Sequence, residues 1–230
     1  MSLLRYGLTP LLIGVATLSA AAPPGESAGV PADEALARLM RGNKRFVRDE
    51  SKHPHESRDY RASLAKAQHP FATVLACSDS RVTPALIFDQ GVGDLFVIRV
   101  AGAVVDEDVA GSLEYAVDHL GTKLLLVMGH KSCGAVTAAY HTFVAHDLKE
   151  REPHEIESLL LRIEPAFKDV DTDLPVDKQI NTAIENNVRV AVENLRRFVD
   201  VRQACDSGRL VIRGAMYGLR TGEVELLSVE

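Results

Sequence analysis

Phe71-Ala72-Thr73-Val74-Leu75-Ala76, followed at once by Cys77-Ser78-Asp79-Ser80-Arg81, is the stretch on which the fold turns. A short apolar run closed by a polar loop reads as a strand buried on both faces. Leu95-Phe96-Val97-Ile98 and Lys123-Leu124-Leu125-Leu126-Val127-Met128 repeat the type. Residues 109–120, between those two runs, fit a crossover helix, and residues 133–144 fit a helix after the third strand. Strands alternating with helices predict an α/β fold with a mostly parallel sheet. Two more helices are expected over 155–167 and 177–199. The second carries an apolar stripe of Ile180, Ile184, Val188, Ala191, Leu195 and Phe198. Leu210-Val211-Ile212 and residues 224–227 read as late strands.

Outward from this core the chain is less regular. Residues 61–68 predict a short helix, and the polar residues 49–58 a loop. Residues 32–47 have mostly helical apolar spacing, interrupted at Gly42-Asn43. Residues 32–69 therefore form an N-terminal helical arm with too little apolar mass to stand alone. Residues 22–31, rich in Pro and Gly, read as a linker. Residues 1–21 have the form of a secretory signal: Arg5, an apolar run, then Ser19-Ala20-Ala21 at a cleavage position. That run is shorter than the ~20 apolar residues a membrane span needs. The expected protein is thus periplasmic or secreted, with no membrane association after cleavage, and residues 70–230 form its main domain.

Composition narrows the function. Over 230 residues, 26 Lys and Arg stand against 32 Asp and Glu, a net charge of -6. Binding nucleic acid by bulk charge needs the opposite sign. Three cysteines are too few, and odd in number, for a disulfide scaffold. In an exported protein they are expected to be metal-bound, disulfide-bonded or buried.

Two of the three stand where open parallel sheets build ligand sites, just past the carboxyl ends of strands. Cys77 follows the first strand. His130 ends the third, and Cys133 comes three residues later in His130-Lys131-Ser132-Cys133-Gly134. Cys, His and Cys form a soft N/S donor set suited to zinc, and three protein ligands leave a fourth position open for chemistry. Cys77 paired with Cys133 in a disulfide is the alternative. Asp79 is placed to accept a hydrogen bond from water at the metal, and Arg81 to hold that carboxylate. Cys205 matches no ligand position.

Cys77-Ser-Asp-Ser-Arg81 with His130-x-x-Cys133-Gly resembles the β-class carbonic anhydrases, in the plant-type branch. So do Ala35-Leu-x-x-Leu39, Gly42-Asn43-x-x-Phe46, Gly93-Asp-Leu-Phe-Val-x-Arg99 and Leu113-Glu-Tyr-Ala-Val117. The resemblance implies a four-stranded parallel core with an added antiparallel edge strand, flanking helices and the helical arm. It implies one Zn2+ per chain on Cys77, His130 and Cys133, with Asp79 and Arg81 as the catalytic dyad. Asp79 becomes a fourth ligand only in a closed state of the site. Gln68, Phe96 and Tyr115 correspond to the substrate-side residues. The implied reaction is reversible hydration of carbon dioxide to bicarbonate and a proton. The implied assembly is a homodimer, or a dimer of dimers, with the arms embracing the partner. The alternatives on the same site are a carbon disulfide or carbonyl sulfide hydrolase and an inactive zinc-binding paralogue; intact Asp79, Arg81 and Gln68 argue against the latter. Two positions depart from the family pattern: Val100 and Ala103, each where Asn is usual.

Overall fold

The computed structural model describes residues 29–147 and 152–229. The expected signal segment and most of the linker lie outside them. The sheet has five strands in the order β2-β1-β3-β4-β5. They are β1 (Ala72–Ala76), β2 (Leu95–Arg99), β3 (Leu124–His130), β4 (Val211–Tyr217) and β5 (Val224–Leu227). The first four run parallel and β5 pairs antiparallel with β4. This is the expected architecture.

Helices cover both faces, which is why the central strands read as continuous apolar runs. The helices are α1 (Ala32–Val47), α2 (Arg58–Ser63), α3 (Pro84–Ile87), α4 (Glu107–Asp118), α5 (Gly134–Tyr140), α6 (His154–Ile163), α7 (Val176–Leu195) and α8 (Val199–Asp206). On one face Leu75, Leu125, Val127 and Ile212 pack with Leu113 of α4, Ala139 of α5, Leu160 of α6 and Ile184 of α7. On the other, Val74, Leu124, Leu126 and Met128 pack with Ala35 and Leu39 of α1 and Ile87 of α3. Alternate residues of one strand serve opposite cores, as the period of two demands.

Several elements differ from the sequence reading. Strand β2 is an edge, not a doubly buried strand, and Val97 is 38% exposed. Helix α1 runs unbroken through Gly42-Asn43. A Cβ at Gly42 would lie 1.6 Å from the Phe88 carbonyl oxygen, so glycine there permits contact between backbones. Asn43 donates to the carbonyls of Ile87 (3.1 Å) and Gly222 (2.8 Å) and accepts from the Val224 amide (3.0 Å). The pair is a docking point, not a break. Helix α2 begins earlier than expected because Ser57 caps it, accepting from the Tyr60 amide at 3.1 Å. The expected helix over 177–199 ends at Leu195. Extended backbone at Phe198 then separates it from α8. Strand β4 continues past Ile212 to pair along the whole of β3.

Candidate metal centre

The site lies at the carboxyl edge of the parallel strands. Cys77 follows β1, His130 is the last residue of β3, and Cys133 is the N-cap of α5. Two sulfurs and one imidazole nitrogen all lie within 4.8 Å of one another, and all three residues are buried. Cys77, Cys133 and the partly buried Cys205 are free thiols. Burial raises the pKa of Cys205.

Backbone contacts prepare each donor. The Lys131 carbonyl accepts from His130 Nδ1 at 3.0 Å, which places the ring proton on Nδ1 and leaves the Nε2 lone pair free. His130 Nε2 is buried with no hydrogen-bond partner. An orphaned buried nitrogen costs about 1–3 kcal/mol and needs an explanation; a cation supplies one. The neighbouring Cys133 thiol lowers the pKa of Cys77 against the opposing effect of burial. The proximity of Cys77 together with burial pushes Cys133 in the opposite direction. The Gly102 amide also donates to Cys77 Sγ, at 3.3 Å. The cavity bounded by these donors measures about 10 Å3, close to one water-sized sphere. Donor chemistry, spacing and size all fit zinc.

Asp79 stands beside this group and outside it. Its Oδ2 is 3.9 Å from His130 Nε2. Arg81 grips the carboxylate at both oxygens, Nε to Oδ1 at 2.9 Å and Nη2 to Oδ2 at 2.7 Å, and the Arg81 amide adds a third bond at 2.9 Å. These bonds hold the Asp79 carboxyl well below the usual carboxylate range. The carboxylate is turned to arginine.

Gln68 is exposed, in the loop before β1. Phe96 on β2 is half-buried, and Tyr115 on α4 is 47% exposed with its ring centroid 6.3 Å from that of Phe96. None of the three lines the cavity around the metal donors.

Two residues near the site were not singled out from sequence. Arg99 spans the Cys77–Asp79 loop from β2, donating from Nε to the Cys77 carbonyl (3.1 Å) and from Nη2 to the Asp79 carbonyl (2.7 Å). Asn187 of α7 donates to the Gly102 carbonyl at 2.7 Å. The signal for Asn187 was present: it is a polar residue inside the apolar stripe that includes Ile184 and Val188.

A sequence model of the carbonic anhydrase family matches residues 72–224. A relative described as carbonic anhydrase from Mycolicibacterium smegmatis is 39% identical over 191 residues, covering 83% of this chain and 90% of that one. The chain belongs to the β-class carbonic anhydrase family. Carbonic anhydrase 2 of Mycobacterium tuberculosis is 54% identical over 101 residues, which span 44% of this chain and about half (49%) of that relative. Among solved structures, the β-carbonic anhydrase of Coccomyxa in complex with acetazolamide has a TM-score of 0.65 at 28% identity, covering 84% of this chain and 86% of that one. In this carbonic anhydrase family member the Cys-Ser-Asp-Ser-Arg and His-x-x-Cys segments are the two that converge on one buried donor set.

Proposed function

We propose that this protein catalyses reversible hydration of carbon dioxide to bicarbonate and a proton, with one zinc ion held by Cys77, His130 and Cys133. The observation that carries the proposal is the unpartnered His130 Nε2, buried between two thiols and 3.9 Å from an arginine-held carboxylate. Zinc, when bound, supplies a nucleophile at neutral pH by lowering the pKa of coordinated water to ~7. Asp79 is ionised throughout the working range and is an acceptor only. It takes a hydrogen bond from water at the open position and aims the oxygen lone pair at carbon. Arg81 keeps the carboxylate in that pose and away from the metal donors. Gln68 donates to the substrate oxygen as charge develops there, and Phe96 and Tyr115 give an apolar gas an apolar wall.

Because those three side chains lie apart from the donor cavity within one chain, the site is read as completed where two copies meet, in a homodimer or a dimer of dimers. The edge position of β2, with Val92 and Val97 exposed, supports that reading. Export to the periplasm or medium, with cleavage after Ala21, is supported by the charge and apolar pattern of residues 1–21. N-terminal sequencing of the protein recovered from a periplasmic fraction tests it.

Stopped-flow hydration of carbon dioxide, with metal analysis of protein purified without chelators, tests the activity. One zinc per chain with rapid hydration is expected. Zinc without hydration would indicate an inactive paralogue, and faster turnover of carbon disulfide would indicate the sulfur-substrate hydrolase.

A further inference from the structure

We propose that Asn187 is a positioning residue for the metal centre, acting through the backbone of Gly102 on the Cys77 sulfur. The turn that carries Gly102, Ala101–Ala103, is held in a backbone state it would not choose. Gly102 has φ 67 and Ala103 has φ 51, two successive residues in the left-handed region. Alanine there costs about 1–2 kcal/mol, so surrounding contacts must impose the shape. Within that turn the Gly102 amide points at Cys77 Sγ (3.3 Å) and its carbonyl points at α7.

Asn187 is the group that receives the carbonyl. Its Nδ2 donates to the Gly102 oxygen at 2.7 Å in a buried setting, and the residue is only 6% exposed. The Gly102–Ala103 peptide is fixed at both ends, its oxygen by Asn187 and its N–H by the Val100 carbonyl at 2.9 Å, and that fixes the Gly102 dihedrals on which the preceding peptide pivots. Here the turn then directs the Gly102 amide onto the sulfur. Asn187 itself faces the donor cavity, with Cys77, His130 and Cys133 on its other walls. Helix α7 can reach this depth because Gly129 of β3 has no side chain; a Cβ there would lie 2.6 Å from Val188 Cγ2. A side chain at Gly102 would also meet Ile163, 2.8 Å from its Cδ1. The chain of contacts is short: the Asn187 amide on the Gly102 carbonyl, the Gly102 dihedrals, and the Gly102 N–H on the Cys77 sulfur.

An N–H donated to a metal-bound thiolate withdraws electron density from it. A thiolate that donates less leaves more positive charge on the metal, which favours a more acidic coordinated water. Outer contacts of this kind typically change metal affinity or activity by 10–100-fold. A purely structural asparagine would satisfy the Gly102 carbonyl and stop there.

The inference rests on Cys77 being a metal ligand, which zinc stoichiometry of the wild-type protein tests separately. The first experiment uses that protein unaltered, loaded with cadmium-113 and labelled with nitrogen-15. A Gly102 amide proton shifted downfield, with scalar coupling to cadmium, is expected. No coupling and an ordinary shift would overturn the proposal. The second compares Asn187→Leu and the smaller Asn187→Ser with Asn43→Ser, which alters an equally buried asparagine remote from the metal donors. Both Asn187 variants are expected to move the thiolate-to-cobalt charge-transfer band of the Co2+ protein and to weaken zinc binding about tenfold. Asn43→Ser is expected to lower the melting temperature and leave the band in place. If the Asn187 variants lose thermal stability while band and zinc affinity match wild type, the residue is structural and the proposal fails. In either Asn187 variant the Gly102 coupling to cadmium is expected to shrink, and a coupling equal to wild type would overturn the proposal.

Discussion

Replacing Asp79 by asparagine changes one oxygen for an amide nitrogen and leaves the side-chain shape. In the native site the carboxylate accepts three hydrogen bonds, two from the Arg81 guanidinium and one from the Arg81 amide. Asparagine keeps one acceptor oxygen. Its Nδ2 must then take either the Oδ2 position, facing Arg81 Nη2 and the metal donors, or the Oδ1 position, facing the Arg81 amide and Nε, so that a donor is set against donors in each case. The first orientation removes the acceptor and the second breaks the arginine grip that fixes it, so the proposed aiming of the attacking oxygen is lost in both. Loss of one such outer contact costs 10–100-fold, and loss of a group that handles the proton 10²–10⁴-fold. The overlap is about 10²-fold in kcat, or about 2.7 kcal/mol of barrier at 1.36 kcal/mol per decade. Zinc content should stay at one per chain, since Asp79 is outside the buried donor group.

Arg81→Leu provides the second half of the test. It frees the carboxylate, whose Oδ2 is only 3.9 Å from His130 Nε2, to turn onto the metal as a fourth ligand. Activity should fall by at least as much, with zinc held more tightly. If Arg81 acts only through Asp79, the losses cannot multiply, because residues that work as a unit are strongly non-additive. Asp79→Asn with Arg81→Leu should therefore be no slower than Asp79→Asn alone within about threefold. The assay is stopped-flow hydration with a pH indicator, with zinc measured on the same samples. Asp79→Asn within threefold of wild type, or a double variant whose losses multiply, would refute this reasoning.

Three further outcomes are expected. Asp89 is buried and in the left-handed region, and accepts from the Lys52 and His53 amides and from Arg45. Its pKa is lowered by these bonds against the opposing effect of burial, so its contribution is complete above the ordinary carboxylate pKa of about 3.9 and fades as pH falls through the lower folded value. Asp89→Asn should lose about 2 kcal/mol in urea titrations at neutral pH, with the gap to wild type closing in strong acid. Ala103→Gly should relieve about 1 kcal/mol of left-handed strain and raise the melting temperature by about 2–4 °C, read by calorimetry on the zinc-loaded protein. Gln68→Ala should reduce kcat/KM for carbon dioxide by about 10²-fold while zinc content and oligomeric state are unchanged, measured by stopped flow and light scattering.

Much of the fold was legible because burial on both faces leaves a simple mark. Strands β1 and β3 are covered on both sides, so their apolar runs stood out. Strand β2 carries the same kind of run but sits at the edge, a matter of strand order that no local pattern encodes. The same limit explains Gly42-Asn43. Read locally, the pair breaks a helix; in the fold it is where α1 meets α3 and β5, and its value comes from carbonyls on distant segments. The join between α7 and α8 was missed because Phe198 continues the apolar stripe while its backbone turns extended. The metal donors were legible because each stands at or just past the carboxyl end of a readable strand. The roles of Arg99 and Asn187 were not, because their partners are backbone atoms: Asn187 shows in the sequence as a polar residue inside an apolar stripe, but nothing local names the carbonyl it holds.

That distinction bears on how the site is made rigid. Each loop at the donor edge has a carbonyl tied down by a side chain from another element. Arg99 of β2 holds the Cys77 and Asp79 carbonyls, and Asn187 of α7 holds that of Gly102. Arg81 reaches the Ser132 carbonyl at 3.4 Å, beside a Ser132 held at φ 56. The donors sit on loops, yet the loops are anchored to strand, helix and dyad, which is what holding a metal set to within about 0.5 Å requires. It follows that variants at these anchors should degrade the metal centre before they unfold the protein. Core substitutions at Leu75 or Leu125, which touch no donor loop carbonyl, should do the reverse.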